Sequence, residues 1–257
     1  MKHSSLMNNK TSFLFLLFFL FTDGDMLPIN RWEESNKRME RMAYVLKVGV
    51  LKFGEGHIRI EDDSLRPEKY ISLEARSIGF FKFFYNAHYF FDASRDNHSG
   101  LPINATRIIT QGSYKIHNTV TFDHITRTDS SIIHSLLTGT KVVEKNIYDI
   151  LTAFYHFRDN LMDKETKPGD EHVITTYFTD QVWILKIRYS GRDTIRTIYG
   201  ATPCLKFKPI AEEGRFFKDK NAISFWFTDD EHRIPVKAQI NMTVGAITAS
   251  LSDYEAL

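Results

Sequence analysis

Hydrophobic and polar positions alternate through most of this chain, and the pattern is clearest near its C-terminal end. From Ile234 to Met242 the residues Ile234, Val236, Ala238, Ile240 and Met242 interleave with Pro235, Lys237, Gln239 and Asn241. This two-residue period predicts a strand with one wet face. Upstream, Ala222–Thr228 (AISFWFT) is rich in β-branched and aromatic residues, and Asp229-Asp230-Glu231-His232 forms the polar connection of a hairpin. Val244–Leu251 extends the meander by another strand, with Gly245 marking a bend.

Earlier segments repeat the theme. Tyr44–Phe53 and His57–Glu61 flank Gly54-Glu55-Gly56, which predicts strand, turn, strand. Tyr70–Ala75, Tyr114–Phe122, Val173–Phe178, Val182–Tyr189, Thr194–Thr197 and Cys204–Lys208 read as further strands, separated by turns such as Ser190-Gly191-Arg192-Asp193. Phe80–Phe91 is so dense in aromatics that apolar material is expected on both of its sides, and Asp92–Gly100 reads as a polar loop. One helix is predicted at Ile147–Leu161. Ile147, Ile150, Leu151, Phe154 and Leu161 recur at helical spacing, Arg158 interrupts the stripe, and Asn146 stands at the N-cap position with Asp149 three residues on. The sum is a mainly β protein: a single antiparallel curved sheet or open β-barrel of roughly eleven or twelve strands with one helix packed across it. The β domain is expected over residues 43–257, preceded by a charged lead-in at 26–42 read as a solvated linker.

Composition narrows the setting. Of 257 residues, 42% are hydrophobic and 25% charged, with a formal net charge of +1, so the chain can bury a core and lacks the basic excess of a nucleic-acid binder. Lys2 and Lys10 precede an apolar run, Phe13–Phe21, that ends at Thr22-Asp23-Gly24-Asp25, with Met7 an alternative start. That order predicts a secretory signal over residues 1–25 and an exported, periplasmic or envelope-associated protein. The run is too short for a permanent membrane anchor. The sole cysteine, Cys204, excludes both an internal disulfide and a lipoprotein cysteine after the apolar run, and it reads as a small buried hydrophobe.

The chemistry in the sequence is sparse. No glycine-rich phosphate loop, CxxC, HExxH or GxSxG is present, and no cofactor or metal site is expected. The acidic turn with Asp229, Asp230, His232 and Arg233 is the one reactive-looking cluster, although neighbours on a tight turn splay apart. Asp149, Tyr155 and Arg158 on the helix read as anchors between helix and sheet, because an arginine on an apolar stripe needs acceptors if buried. Aromatic excess on strands suggests an apolar or lipid-like ligand, with Phe84, Tyr85, Tyr89, Trp183 and Trp226 as candidates to hold it.

Three further stretches carry a family resemblance. They are Asp149–Arg158 (DILTAFYHFR), Gly200 through Cys204–Pro209, and Gly214-Arg215 through Trp226–Val236. In their order and spacing the chain resembles, from about Tyr44 to Leu251, the exported bacterial family known as domain of unknown function 3108. The resemblance implies an exported β-rich domain after a signal peptide and carries no established activity or catalytic residues. The expected function is a non-enzymatic envelope protein that binds an apolar ligand. The alternatives are a structural or protein-interaction module with a filled core, whose partner is another envelope protein, and a hydrolase or metal enzyme built on Asp229, Asp230 and His232.

Overall fold

Alternating side chains draw most of the chain into one antiparallel meander. A computed structural model describes residues 37–257 apart from 64–66, 85, 163–165, 211–222 and 243–244. The predicted signal, Tyr85 and most of the lead-in lie outside the described residues. The first strands are β1 (Lys37–Val48), β2 (Leu51–Asp63) and β3 (Glu68–Ser77), followed by a short helix, α1 (Gly79–Phe84). Next come β4 (Ala87–Asp96), β5 (Pro102–Gln111), β6 (Tyr114–Asp123), β7 (Ser130–Ser135) and β8 (Gly139–Glu144). A helix, α2 (Ile150–His156), then continues as a π turn over Phe157–Leu161. The chain closes with β9 (Glu171–Phe178), β10 (Gln181–Thr197), β11 (Gly200–Ile210), β12 (Ile223–Thr228), β13 (Pro235–Asn241) and β14 (Ala246–Ala256).

All fourteen strands form one sheet, in the order β8-β7-β6-β5-β4-β3-β2-β1-β14-β13-β12-β11-β10-β9. β1 pairs with β14, so the two ends of the described chain meet in the middle of the sheet, and its free edges are β8 and β9. The sheet curls into a nearly closed barrel with α2 against its inner face. The backbone of Tyr148 covers the edge of β9: its N–H donates to Thr175 and its carbonyl accepts from Tyr177.

The expected class is therefore correct, but the details differ for identifiable reasons. The strand count is fourteen: β5 and the β7–β8 hairpin have too mixed a pattern to read as strands, whereas Val182–Tyr189 and Thr194–Thr197, read as two strands, are one, β10. β1 already begins at Lys37, inside the expected linker, and its inward positions Glu40, Met42 and Tyr44 mix a carboxylate with apolar residues. Gly54 and Gly56 lie within β2, opposite Leu46 and Tyr44, whereas the turn falls at Gly49, whose φ of 58° suits glycine. Ser190–Asp193 is not a turn: β10 runs straight through it, with a bulge beside Gly191. β4 extends to Asp96, shortening the expected loop. The aromatic run splits into α1, which buries no residue, and β4, which buries every second one. The helix is shorter than its periodicity suggests: Asn146 adopts a φ of 60° and Asp149 provides the N-cap.

Across the open side, the β9–β10 turn presents Asp180 to four strands, β5 to β8. Its Oδ1 accepts from Asn118 Nδ2 at 2.9 Å and Ser135 Oγ at 2.6 Å, its Oδ2 lies 3.4 Å from Arg107 Nη2, and its carbonyl accepts from Lys141 Nζ at 2.7 Å. Phe122, Ile133, Ile147 and Tyr177 pack beside this knot. Removing the carboxylate strands several buried donors at once. The Asp180→Ala protein should therefore lose about 2–4 kcal/mol in urea unfolding, and a loss below about 0.5 kcal/mol would show that the seam does not depend on this residue.

Candidate functional site

The helix α2 is held in the lumen at both ends. At its start Asp149 is buried and accepts from the N–H of Leu151 at 2.8 Å, from the N–H of Thr152 and from the Thr152 hydroxyl. At the far end Arg158 makes a forked pair with Glu40 of β1, at 2.7 Å and 2.6 Å, and donates to the carbonyl of His232 at 2.9 Å. Tyr254 of β14 adds a hydroxyl to the same Glu40 carboxylate at 2.9 Å. Burial acts to raise the pKa of Glu40, but the hydrogen bonds and charge of Arg158 outweigh it and hold the carboxyl below its usual value. Arg158 shows the converse: desolvation acts to lower its pKa, and the Glu40 carboxylate raises it instead. Tyr155, completely buried, lies under the Arg158 guanidinium with 5.7 Å from the charge to its ring centre.

Between α2 and the inner face of the sheet lies a cavity of about 400 Å³. Ile150, Leu151, Phe154 and Tyr155 of α2 form one wall. Leu46, Ile58, Leu73, Trp183, Leu185 and Phe225 are prominent on the sheet side, and Gly56 and Ala75, paired across β2 and β3, widen it by having little or no side chain. The few polar residues at its margin include His57, Glu74 and Lys237. A second hollow, beside Asp180 and Arg107, measures about 40 Å³ and suits a water molecule. The larger one falls in the ~300–1,000 Å³ range of small-molecule sites.

The structure places the candidate aromatics apart. Trp183 lines the cavity and fixes its ring by donating Nε1–H to the Phe178 carbonyl at 2.9 Å. Tyr89 is buried elsewhere in the core, with its hydroxyl on Gln111 at 2.7 Å. Phe84 is exposed on α1. Trp226 is buried in the main core cluster but away from the cavity, in register with Lys206 and Lys237, each with its ammonium 4.7 Å from the ring centre, and it donates to Asp193 at 3.0 Å.

The acidic cluster forms a turn. Asp230 Oδ1 accepts from the N–H groups of His232 and Arg233, both at 3.0 Å, and from Thr228 Oγ1 at 2.7 Å. Asp229 pairs with Arg192 at 2.6 Å, and Arg233 carries the φ of 46° that the turn requires. Among the described residues, no three histidine, cysteine or acidic side chains come together as a metal site. Cys204 is buried, and burial pushes its thiol up to about 11, which leaves it unreactive at neutral pH. The two residues that sequence reasoning missed are Glu40 and Asp180. The presence of Arg158 on an apolar stripe implied an acceptor somewhere, although spacing alone could not point to Glu40.

Fold and site together define a nearly closed, single-sheet antiparallel barrel whose lumen is partly filled by one anchored helix and partly hollow. Residues 43–252 match the family described as "Protein of unknown function (DUF3108)", and the chain belongs to that family. Among solved structures it is similar to the crystal structure of a β-barrel-like protein of domain of unknown function DUF1849 from Brucella abortus. The two share 7% sequence identity and a TM-score of 0.57 over 85% of this chain and 98% of that one, a likeness of fold. A search of curated proteins gives no match.

Burial pushes the Asp149 carboxyl up to about 6 from 3.8, against the hydrogen bonds of Thr152 and the Leu151 N–H. A carboxyl raised in this way holds its proton more tightly when folded. It therefore favours folding below about pH 4, and that contribution disappears as pH rises through about 6. The stability of the native protein minus that of Asp149→Asn, measured by chemical unfolding, should fall by about 2 kcal/mol between pH 4 and pH 7. A flat difference would mean that the cap stays ionised throughout.

Proposed function

We propose that this protein is an exported, non-enzymatic envelope protein that holds an apolar or lipid-like molecule in its barrel. The observation that carries this reading is the hollow beside α2. Leaving apolar volume empty costs about 24 cal/mol per Å³. For about 400 Å³ this is on the order of 10 kcal/mol, comparable with the whole stability of a domain. The figure is an upper one, because the hollow opens in part to solvent. A fold whose other elements pack tightly around such a space is best understood as built for an occupant. Glycine and alanine at the inward positions Gly56 and Ala75 support this view, since larger residues would have filled the space.

The same hollow argues against a barrel serving only as an interaction module with a filled core. The occupation of Asp229 and Asp230 by Arg192 and by backbone N–H groups argues against hydrolysis at that turn. Export rests on Lys2, Lys10 and the Phe13–Phe21 run, and the unreactive buried thiol of Cys204 is compatible with an oxidising compartment.

Two measurements test the reading. The purified protein should take up N-phenyl-1-naphthylamine. Leu73→Trp, which projects an indole into the cavity, should weaken uptake at least tenfold with little change in melting temperature; absence of uptake by the native protein, together with no lipid in its organic extract, would sink the proposal. Separately, mass spectrometry of protein from the envelope fraction should find a chain lacking the segment through about residue 25, whereas an intact start in the cytoplasm would refute export.

A further inference from the structure

The two ends of the barrel differ in character. In an antiparallel meander every second connection falls at the same end, so the β1–β2, β3–β4, β5–β6, β7–β8, β9–β10, β11–β12 and β13–β14 connections share one rim. This rim displays Val50, Phe80, Phe83, Phe84, Leu136 and Leu137, with Val50 91% and Phe83 86% exposed. Three of these side chains form a raised aromatic group, with ring centres 4.6 Å apart for Phe80 and Phe84 and 5.4 Å for Phe83 and Phe84. Phe81 roots the group in the barrel against Phe53 at 6.2 Å. Solvent-facing apolar surface of this kind marks a contact.

Charge identifies the kind of contact. Among the described residues, the turns of this rim contain one carboxylate, Asp180, which is turned into the seam; the β11–β12 connection, outside the described residues, carries Glu212, Glu213 and Asp219 together with Arg215, Lys218 and Lys220 in its sequence. Glu55, the nearest acid on β2, is held by Arg76 at 2.6 Å. Lys47, Lys52, Lys82 and Lys115 stand in or beside the same turns. The opposite rim carries Asp62, Asp96, Asp123, Asp129, Asp229, Asp230 and Glu231 in or beside its turns, with Lys69, Arg127, Lys145, Arg196 and Arg233 among them, and its exposed apolar residues, Ile125, Ile198 and Tyr199, are scattered over two turns. An apolar, lysine-flanked rim opposite an acid-rich one has the polarity of a protein that faces an anionic bilayer.

We propose that the α1 rim docks on anionic phospholipid surfaces, with Phe80, Phe83 and Phe84 set among the headgroups and the lysines on the lipid phosphates. Among the described residues no helix is long and apolar enough to cross a membrane, and this mode of contact needs none. The cavity wall reaches the same rim at Leu46, Val182, Ile210 and Ile223, so a lipid-like ligand would have apolar surface between bilayer and lumen. That last step rests on the ligand reading above, and the docking itself does not.

The test is sedimentation of the full chain with vesicles of phosphatidylcholine alone or mixed with phosphatidylglycerol. The native protein should bind the mixed vesicles. Phe83→Ser combined with Phe84→Ser should weaken that binding at least tenfold, and Ile125→Ser on the opposite rim should leave it unchanged. Both phenylalanines are exposed, so the double variant should keep the native melting temperature and the native uptake of N-phenyl-1-naphthylamine. Docking is overturned if the native protein ignores both vesicle types, if Ile125→Ser loses as much as the double variant, or if light scattering shows a native dimer that the double variant breaks while vesicle binding persists. Failure of vesicle binding with intact probe uptake would refute the docking surface and leave the cavity reading standing.

Discussion

The pair between Arg158 and Glu40 is the interaction on which the architecture depends. Glu40 lies on β1, Tyr254 on β14 bonds to the same carboxylate, and Arg158 also grips the carbonyl of His232 in the β12–β13 turn. One guanidinium therefore ties the helix to the strand pair that joins the two halves of the sheet. Buried charges of this kind seldom add net stability over an apolar replacement, but removing one partner is costly. Their value here is positional. They set how far along the lumen α2 lies, and so how much of the barrel remains hollow beside Phe154 and Tyr155.

The curl of the sheet poses a second problem, because β8 and β9 never pair with each other. Two devices stand in for the missing ladder. The backbone of Tyr148 satisfies the edge of β9, and Asp180 reaches across to Asn118, Ser135 and Arg107. Side-chain bonds to one carboxylate are fewer and less regular than a strand ladder, so the seam is the natural place for the barrel to yield. The cavity lies beside the helix that follows β8, so a change at the seam would alter the size of the hollow before it affected the β1–β14 centre.

Much of this was legible in the sequence. The alternation in Tyr70–Ala75 reports burial of one face and placed that strand correctly, because Ile71, Leu73 and Ala75 meet Ile60, Ile58 and Gly56; in Ile234–Met242 it found the strand but not its ends, since a register shift beside Phe227 buries Pro235 and Met242 lies exposed past the end of β13. Legibility failed where a polar residue faces inward. Lys37–Met42 looks like a linker because Glu40 occupies an inward position, and that choice makes sense only with Arg158, more than a hundred residues away, beside it. The aromatic run misled in the opposite direction: local density of Phe80–Phe91 says nothing about which rings face the lumen, and those of α1 point away from it. Gly54 and Gly56 read as a turn because glycine permits one, whereas in the barrel they are the inward positions of β2, with Gly56 leaving room in the cavity.

The residues that looked most capable of chemistry turn out to be occupied. Asp230 orders its own turn, that turn presents the His232 carbonyl to Arg158, and Arg158 fixes α2. The suspected acid cluster and the suspected helix arginine are thus two ends of one structural connection. What the fold leaves open is largely apolar: the hollow inside and the phenylalanine-bearing rim outside. Where the hollow lies follows from where Glu40 and Arg158 place the helix.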